Sequence, residues 1–410
     1  MSSASPTISN SPVPLSERNS YYFSQFPLYC SDWTISNDLE CIALSTYKEG
    51  FTNKLQVIHG LTYENDYRYY FHKVAETSVD YPITHLQWDP LLGKSNDQRL
   101  AASSEVLRLY EVDQDSINQN QEYSLVQTHL LANNTANNST TSTNGNGSHK
   151  DDLNTYPPVT SFDWNKTDPN IVITSSVDTT CTVWDLHRSI KLEDGITTSS
   201  TNTATVKTQL IAHDSEVFDV KFIHNSTNIF ASVGNDGSMR VFDLRSLEHS
   251  TIIYEPSLSP PHSASSNNSS LNSASMSMAT LNSKALLKLS TSNIDQHHLA
   301  TIGINSNQII IIDMRMPGLP IATLDGSLGG VNHAPINSIK WHPTSNLLLT
   351  GGDDCQALIW DSSSTDMGIV IDTPTFAYEE DLEVNNVCWR GAKGDWLGVV
   401  SGKGFQGVQL

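Results

Sequence analysis

Between Leu210 and Ile253 the chain reads LIAHDSEVFDVKFIHNSTNIFASVGNDGSMRVFDLRSLEHSTII, and this stretch constrains the fold more than any other. Asp214 to Phe222 alternates apolar and polar residues, the period of a strand with one buried face. Asn228 to Val233 reads as a second short strand, Ser238 to Asp243 as a third and Ser250 to Tyr254 as a fourth. Asn235-Asp236-Gly237 is a hairpin signal between the second and third, because a type I′ turn needs φ > 0 at both central residues.

Four short antiparallel strands in about 45 residues match one blade of a β-propeller. The order of marked residues then recurs. Ser232 lies four residues before Asp236 and Phe242 six after it. TSSVDTTCTVWD carries Thr174, Asp178 and Trp184 at the same offsets, and TGGDDCQALIWD carries Thr350, Asp354 and Trp360. Each third member is followed by an Asp: Asp185, Asp243 and Asp361. The pattern resembles the WD-repeat family, whose blades use a His–Ser/Thr–Asp–Trp hydrogen-bonded tetrad. On that resemblance, His213 and His333 take the family's His position. His213, Ser232 and Asp236 also have the composition of a catalytic triad. Repetition in three blades belongs to a structural network and not to a single active site.

A chain of 410 residues is long enough for two or three domains, yet one propeller uses this much sequence because its core is the sum of contacts between neighbouring blades. The formal charge is −21, from 44 acidic and 23 basic residues. That balance argues against a broad phosphate-binding surface, and so against direct nucleic-acid binding, while leaving room for a small basic patch. The five cysteines are odd in number and far apart, with no C-x-x-C pair, so neither a zinc ribbon nor a redox motif is expected. Cys181, Cys355 and Cys388 fall in apolar strand patterns, as small core residues do. No run of 18 apolar residues suggests a membrane span, and no secretory signal is evident. Gly351-Gly352-Asp353 lacks the Gly-Lys of a phosphate-cradling loop. No cofactor, metal or small-molecule substrate is implied, and no enzyme activity.

In order, residues 1–19 are Ser- and Pro-rich and read as a disordered segment. Residues 20–410 read as an all-β, seven-bladed propeller, with Ser20 to Phe26 as the outer strand of the last blade. The first blade takes Leu28 to Trp33, Glu40 to Tyr47, Asn53 to His59 and Arg68 to His72. The second has Ser104 at the turn-Asp position and Tyr123 to His129 as its outer strand. Three polar, low-complexity insertions, at about 132–151, 193–203 and 257–283, bury too little surface to offset their ordering entropy. The closing strand Gly404 to Leu410 contains two glycines and is expected to be the least secure.

Longer runs sharpen the resemblance: VTSFDWNKTDPN, SSVDTTCTVWDL, VKTQLIAHDSEVFDV, FASVGNDGSMRVFDLRSLEHSTIIYE, DDCQALIWD and EVNNVCW. Within the WD-repeat family these are similar to the group of the plant regulator Transparent Testa Glabra and the animal cullin-4-associated adaptor that binds dual-specificity tyrosine-regulated kinases. The resemblance implies a scaffold for protein kinases and transcription regulators, in cytoplasm and nucleus. Arg245 and Arg315 stand two residues after Asp243 and Asp313, in FDLR and IDMR. These resemble the Trp-Asp-x-Arg box that docks some WD-repeat proteins onto the cullin-4 ligase adaptor, which makes a ubiquitin-ligase substrate receptor the alternative. The plainer reading is that each Arg binds its own blade's carboxylates. Loops leading into each blade are natural contact positions, which singles out Asp214, Glu216, Asn332, Pro335, Glu383 and Asn385.

Overall fold

The computed structural model describes residues 20–36, 38–50, 52–62, 68–91, 98–117, 122–133, 156–191, 202–256, 285–327, 329–331, 333–363 and 368–410. The expected disordered segment 1–19 and the 257–283 insertion lie outside these residues. Every regular element described is a β-strand.

After β1 (Tyr21–Phe23), β2 (Leu28–Ser36), β3 (Leu39–Thr46), β4 (Asn53–Leu61) and β5 (Tyr70–Val79) form an antiparallel meander. Its outer strand runs to Val79, well past the expected end at His72, because the pairing with β4 continues across a bulge at Val57–Ile58. The same meander repeats in β6 (His85–Trp88), β7 (Arg99–Ser103), β8 (Leu107–Ile117) and β9 (Tyr123–Leu131). It repeats again in β10 (Val159–Trp164), β11 (Ile171–Ser176), β12 (Thr180–Lys191) and β13 (Asn202–Ile211). Asn202 and Thr203 are therefore strand residues and not part of the insertion expected over 193–203, of which the remainder lies outside the described residues.

The next groups are β14 (Val217–Phe222), β15 (Ile229–Gly234), β16 (Met239–Asp243) and β17 (Ser246–Tyr254), then β18 (Leu286–Thr291), β19 (His298–Gly303), β20 (Ile309–Asp313) and β21 (Pro320–Leu324). β22 (Ile336–Trp341), β23 (Leu347–Gly352) and β24 (Gln356–Asp361) follow. The short β25 (Ile369–Ile371) leaves that group to pair in parallel with β21, and β26 (Phe376–Glu379) completes it. Three apolar residues are too few to show a period, so β25 was not legible in the sequence. The chain ends in β27 (Val384–Trp389), β28 (Trp396–Ser401) and β29 (Gly404–Gln409), and β1 pairs antiparallel with β29. That pairing occupies Tyr21–Phe23 of the Ser20 to Phe26 span expected for it.

The innermost strands pack side by side, β2 on β6, β6 on β10, and so on through β14, β18, β22 and β27, with β27 against β2. The core lies between neighbouring groups, as a repeat architecture requires. Trp164 and Trp184 pack with Leu107 and Leu131 of the preceding group, and Trp341 and Trp360 pack with Ile309 and Ile311.

Two expectations are corrected here. The turn at Asn235-Asp236 is not type I′. The Gly237 amide donates to the Gly234 carbonyl at 3.1 Å, and only Gly237, at φ 82°, has positive φ. This is a type I-like turn followed by a left-handed residue, and Thr179 (φ 76°) and Cys355 (φ 62°) take the same place in their groups. Cys355 thus sits in a turn, half-buried, and not in a strand. The other four cysteines are buried, and all five are free thiols. Burial pushes Cys30 up to about 11 and Cys41 and Cys388 up to about 12, which leaves them unreactive at neutral pH.

The second correction is the terminal strand. β29 is not loosely held: Phe405 is fully buried among Trp33, Phe71 and Trp396. Gly407 has its reason in packing, since a Cβ there would come within 3.3 Å of the Trp33 and Phe71 rings.

Candidate functional site

The repeated polar residues form graded versions of one network. In the β14–β17 group, His213 Nδ1 lies 3.0 Å from Asp236 Oδ1 and Nε2 lies 2.7 Å from Ser232 Oγ. A carboxylate only accepts, so Nδ1–H donates to Asp236 and Nε2 accepts from Ser232. Ser238 donates to the same Asp236 oxygen at 2.8 Å, and Arg240 reaches Asp236 Oδ2 at 3.0 Å. Burial raises the Asp236 pKa, but the bonds from His213 and Ser238 outweigh it and hold the carboxyl well below the usual range. Phe242 has no N–H to extend the chain and stacks on Phe230, ring centroids 5.0 Å apart.

In the β10–β13 group, Trp184 Nε1 donates to Thr174 Oγ1 at 3.0 Å, as the resemblance implies. The His position is filled by Asn133. Its Nδ2 donates to Asp178 Oδ2 at 2.8 Å and its Oδ1 accepts from Thr182 Oγ1 at 2.9 Å. Ala132 and Asn133 are thus not part of the insertion expected over about 132–151, of which the remainder lies outside the described residues, and Asn133 is buried. In the β22–β26 group, Trp360 Nε1 donates to Thr350 Oγ1 at 3.1 Å, but His333 is exposed and apart from that pair. Asp354 Oδ2 is buried with no partner among the described residues, and burial raises its pKa. His333 stands three residues before Ile336, whereas His213 stands four before the equivalent Val217, so the chain is one residue too short to bring the ring in. At the Ser104 turn a different arrangement holds: Ser104 donates to Glu105 at 2.6 Å and accepts from Arg108 at 3.0 Å.

Asp236→Ala is expected to cost about 1–3 kcal/mol, the penalty of orphaning His213 and Ser238. The folded Asp236 pKa is depressed below its unfolded value of about 3.9, so this stability is present above that pH and is lost as acid titrates the folded carboxyl. Denaturant unfolding at neutral pH and near pH 3 should show the difference between variant and parent shrinking in acid.

Arg245 and Arg315 each fold back on their own carboxylate. Arg245 Nε lies 2.9 Å and Nη2 2.5 Å from the Asp243 oxygens, and Arg315 holds Asp313 with the same distances. Arg245 holds Asp243 down at about 2, and Arg315 likewise holds Asp313 below its ordinary value. Both guanidinium groups remain largely exposed, at 66% and 58% of the side chain.

The contact candidates divide. Asp214 is 84% exposed and pairs with Arg240 at 2.7 Å. Glu383 is exposed, while Glu216 is half-buried and accepts from Ser215 and Asn235. Pro335 is half-buried, its carbonyl taken by the Asp353 amide. Asn385 is half-buried, and its Nδ2 donates to the Leu28 carbonyl at 3.1 Å, which joins β27 to β2. Asn332 lies outside the described residues.

The innermost strands carry a second network that the sequence reading missed. A side chain on each accepts a backbone N–H from the next: Asp32 from Trp88, Gln87 from Trp164, Asp163 from Phe222, and Ser290 from Trp341, at 2.8–3.1 Å. Gln87, Asp163 and Ser290 stand just before the aromatic or Thr that ends the strand, and Asp32 stands just before Trp33, the matching aromatic of β2. On β14, β22 and β27 that position holds Lys221, Lys340 and Cys388. There the acceptor is two residues earlier: Asp219 accepts from Leu289 (2.9 Å), Ser338 from Val387 (3.3 Å) and Asn386 from Ser31 (3.2 Å). Positions two apart on a strand face the same side, so both registers point into one space. That space is a cavity of 780 Å³, with Lys221, Lys288 and Lys340 and the carboxylates Asp32, Asp163 and Asp219 on its wall. Among the described residues no group of His, Cys, Asp or Glu is arranged to hold a metal ion.

The WD domain, G-beta repeat family matches residues 149–185, 204–243 and 318–361. A WD repeat-containing protein of Saccharomyces cerevisiae is 38% identical, over 99% of this chain and 79% of its own length. A DDB1- and CUL4-associated factor 7 homolog of Dictyostelium discoideum is 35% identical, over 92% of this chain and 94% of its own. An uncharacterized WD repeat-containing protein of Schizosaccharomyces pombe is 33% identical, over 92% and 84%. With similarity running nearly end to end in all three, and blade networks of the kind described, the chain belongs to the WD-repeat family.

Proposed function

We propose that this chain is a closed ring of seven blades acting as a non-catalytic scaffold that links protein kinases with transcription regulators, in cytoplasm and nucleus. The observation that carries the non-catalytic part is the Ser232–His213–Asp236 network. Its hydroxyl, imidazole and carboxylate are buried or bonded to one another, and graded copies recur at Thr174 and Thr350. The ring reading rests on the inter-blade bonds that lead from β2 round to β27 and back to Ser31, and on β1 pairing with β29. A rigid disc of this kind presents its exposed loops, Asp214 and Glu383 among them, to several partners at once.

A second reading, substrate receptor of a cullin-RING ubiquitin ligase, draws on the name of the Dictyostelium relative and on the exposed Arg245 and Arg315. Mass spectrometry of what co-purifies with the tagged full-length chain separates the two. The scaffold predicts a kinase or transcription regulator without ligase subunits. Stoichiometric adaptor and cullin, lost in the Arg245→Ala/Arg315→Ala double variant, would overturn it in favour of the receptor.

A further inference from the structure

We propose that the cavity between the innermost strands binds a small phosphate-bearing anion, seated on the ammonium groups of Lys288 and Lys340. This goes beyond protein docking and concerns a different face of the molecule. The argument begins with which polar groups on the wall are already used. Asp32 Oδ2 accepts from the Trp88 amide at 2.8 Å and Asp163 Oδ2 from the Phe222 amide at 2.8 Å. Asp219 accepts from the Val220 and Leu289 amides and from Ser161 Oγ, the last at 2.7 Å. Lys221 is used too: it donates to the Phe162 carbonyl at 2.9 Å and pairs with Asp219 at 3.3 Å.

Lys288 and Lys340 are not used in this way. Neither ammonium group makes a hydrogen bond or an ion pair with a described residue, yet both side chains line the cavity. Lys340 stands at the position where β18, the strand before it, carries the acceptor Ser290, and Ser338 takes over that duty two residues earlier. The cation therefore contributes nothing to joining the blades. Both lysines line this one cavity, together with Lys221 and His85. Burial and the nearby Lys221 charge lower the Lys340 pKa, and Asp32 and Asp219 only partly restore it. An incoming anion supplies the charge this corner lacks.

The wall thus offers free donors while each carboxylate is already engaged, and a ligand rich in acceptors fits it. No arginine lines the cavity among the described residues, so the planar fork that suits a carboxylate is missing, and lysine point charges suit a phosphate. At 780 Å³ the space falls within the size of small-ligand pockets. In a chain of charge −21, the lining of this opening carries five lysines (Lys166, Lys221, Lys288, Lys340 and Lys393) against four aspartates (Asp32, Asp89, Asp163 and Asp219).

The test uses the full-length chain and inorganic pyrophosphate, by isothermal titration calorimetry at low salt. Expected is saturable binding with one site per chain, weakened by about tenfold or more in Lys288→Met/Lys340→Met and kept within a few-fold in Lys288→Arg/Lys340→Arg. The Met pair removes charges that burial disfavours, so its melting temperature should not fall. If that pair nevertheless fails to fold, reductive methylation of the unmodified protein replaces it, with pyrophosphate expected to shield Lys288 and Lys340. No saturable binding, an unchanged affinity in the Met pair, or no shielding would each overturn the proposal.

Discussion

Glu40→Ala lowers the free energy of unfolding by about 3–5 kcal/mol, as removing one partner of a buried ion pair does. Glu40 sits on β3 and is almost fully buried. Arg390, just after β27, reaches it with Nε at 3.0 Å and Nη2 at 2.6 Å. Trp33 Nε1 donates to the same carboxylate at 2.7 Å and Tyr69 Oη at 3.2 Å. The guanidinium also lies over the Tyr69 ring and holds Asp395 at 2.8 Å. Removing the carboxylate leaves Arg390 with the half-exposed Asp395 alone and orphans two ring donors at once. Burial, then Glu40, pushes the Tyr69 hydroxyl up to about 12, so it remains a donor throughout the neutral range. Guanidinium unfolding curves for Glu40→Ala, Arg390→Met and the pair check this. The pair should cost less than the sum of the singles, because each single strands the other charge. A loss below about 1 kcal/mol in Glu40→Ala would place the pair among weak surface contacts.

Phe405→Ala is the second large loss, about 3–5 kcal/mol from transfer and cavity terms together. The ring is fully buried, 5.8 Å from Trp33 and 5.5 Å from Phe71 between centroids, and its backbone faces Tyr22 of β1. Loss of the ring loosens β29 and, with it, the short β1 that has β29 as its strand partner. Calorimetry measures the destabilisation. Limited proteolysis should meanwhile open a new cleavage near Tyr21–Phe23 before the rest of the chain unfolds. A variant with parental stability and no such cleavage would mean that the terminal strand is as expendable as its glycines suggest.

The strands were legible where alternation ran for six residues or more, and the offsets at Asp178, Asp236 and Asp354 located three groups directly. The paired Trp184–Thr174 and Trp360–Thr350 bonds follow from those offsets. Asn133 was missed although its signal is present: Leu130-Leu131-Ala132-Asn133 mirrors Leu210-Ile211-Ala212-His213. The polar tract behind it hid the match, because composition alone does not mark where the repeat's pattern stops. His333 was over-read, since residue type was weighed without counting the residues to the following strand. The terminal strand was under-read, because a glycine's conformational cost is visible in a sequence and the ring that needs its missing side chain is not.

The staple between innermost strands has two interchangeable seats, two residues apart, on each strand. On each strand one seat holds the Asp, Asn, Gln or Ser that accepts from the next strand, and the other does not take part in that bond. In an alignment of relatives, each column taken singly would look permissive. The information lies in the pair, as a rule that at least one seat accepts. A designer could therefore rewrite the charge of the central space, seat by seat, while leaving the mechanical coupling between blades untouched.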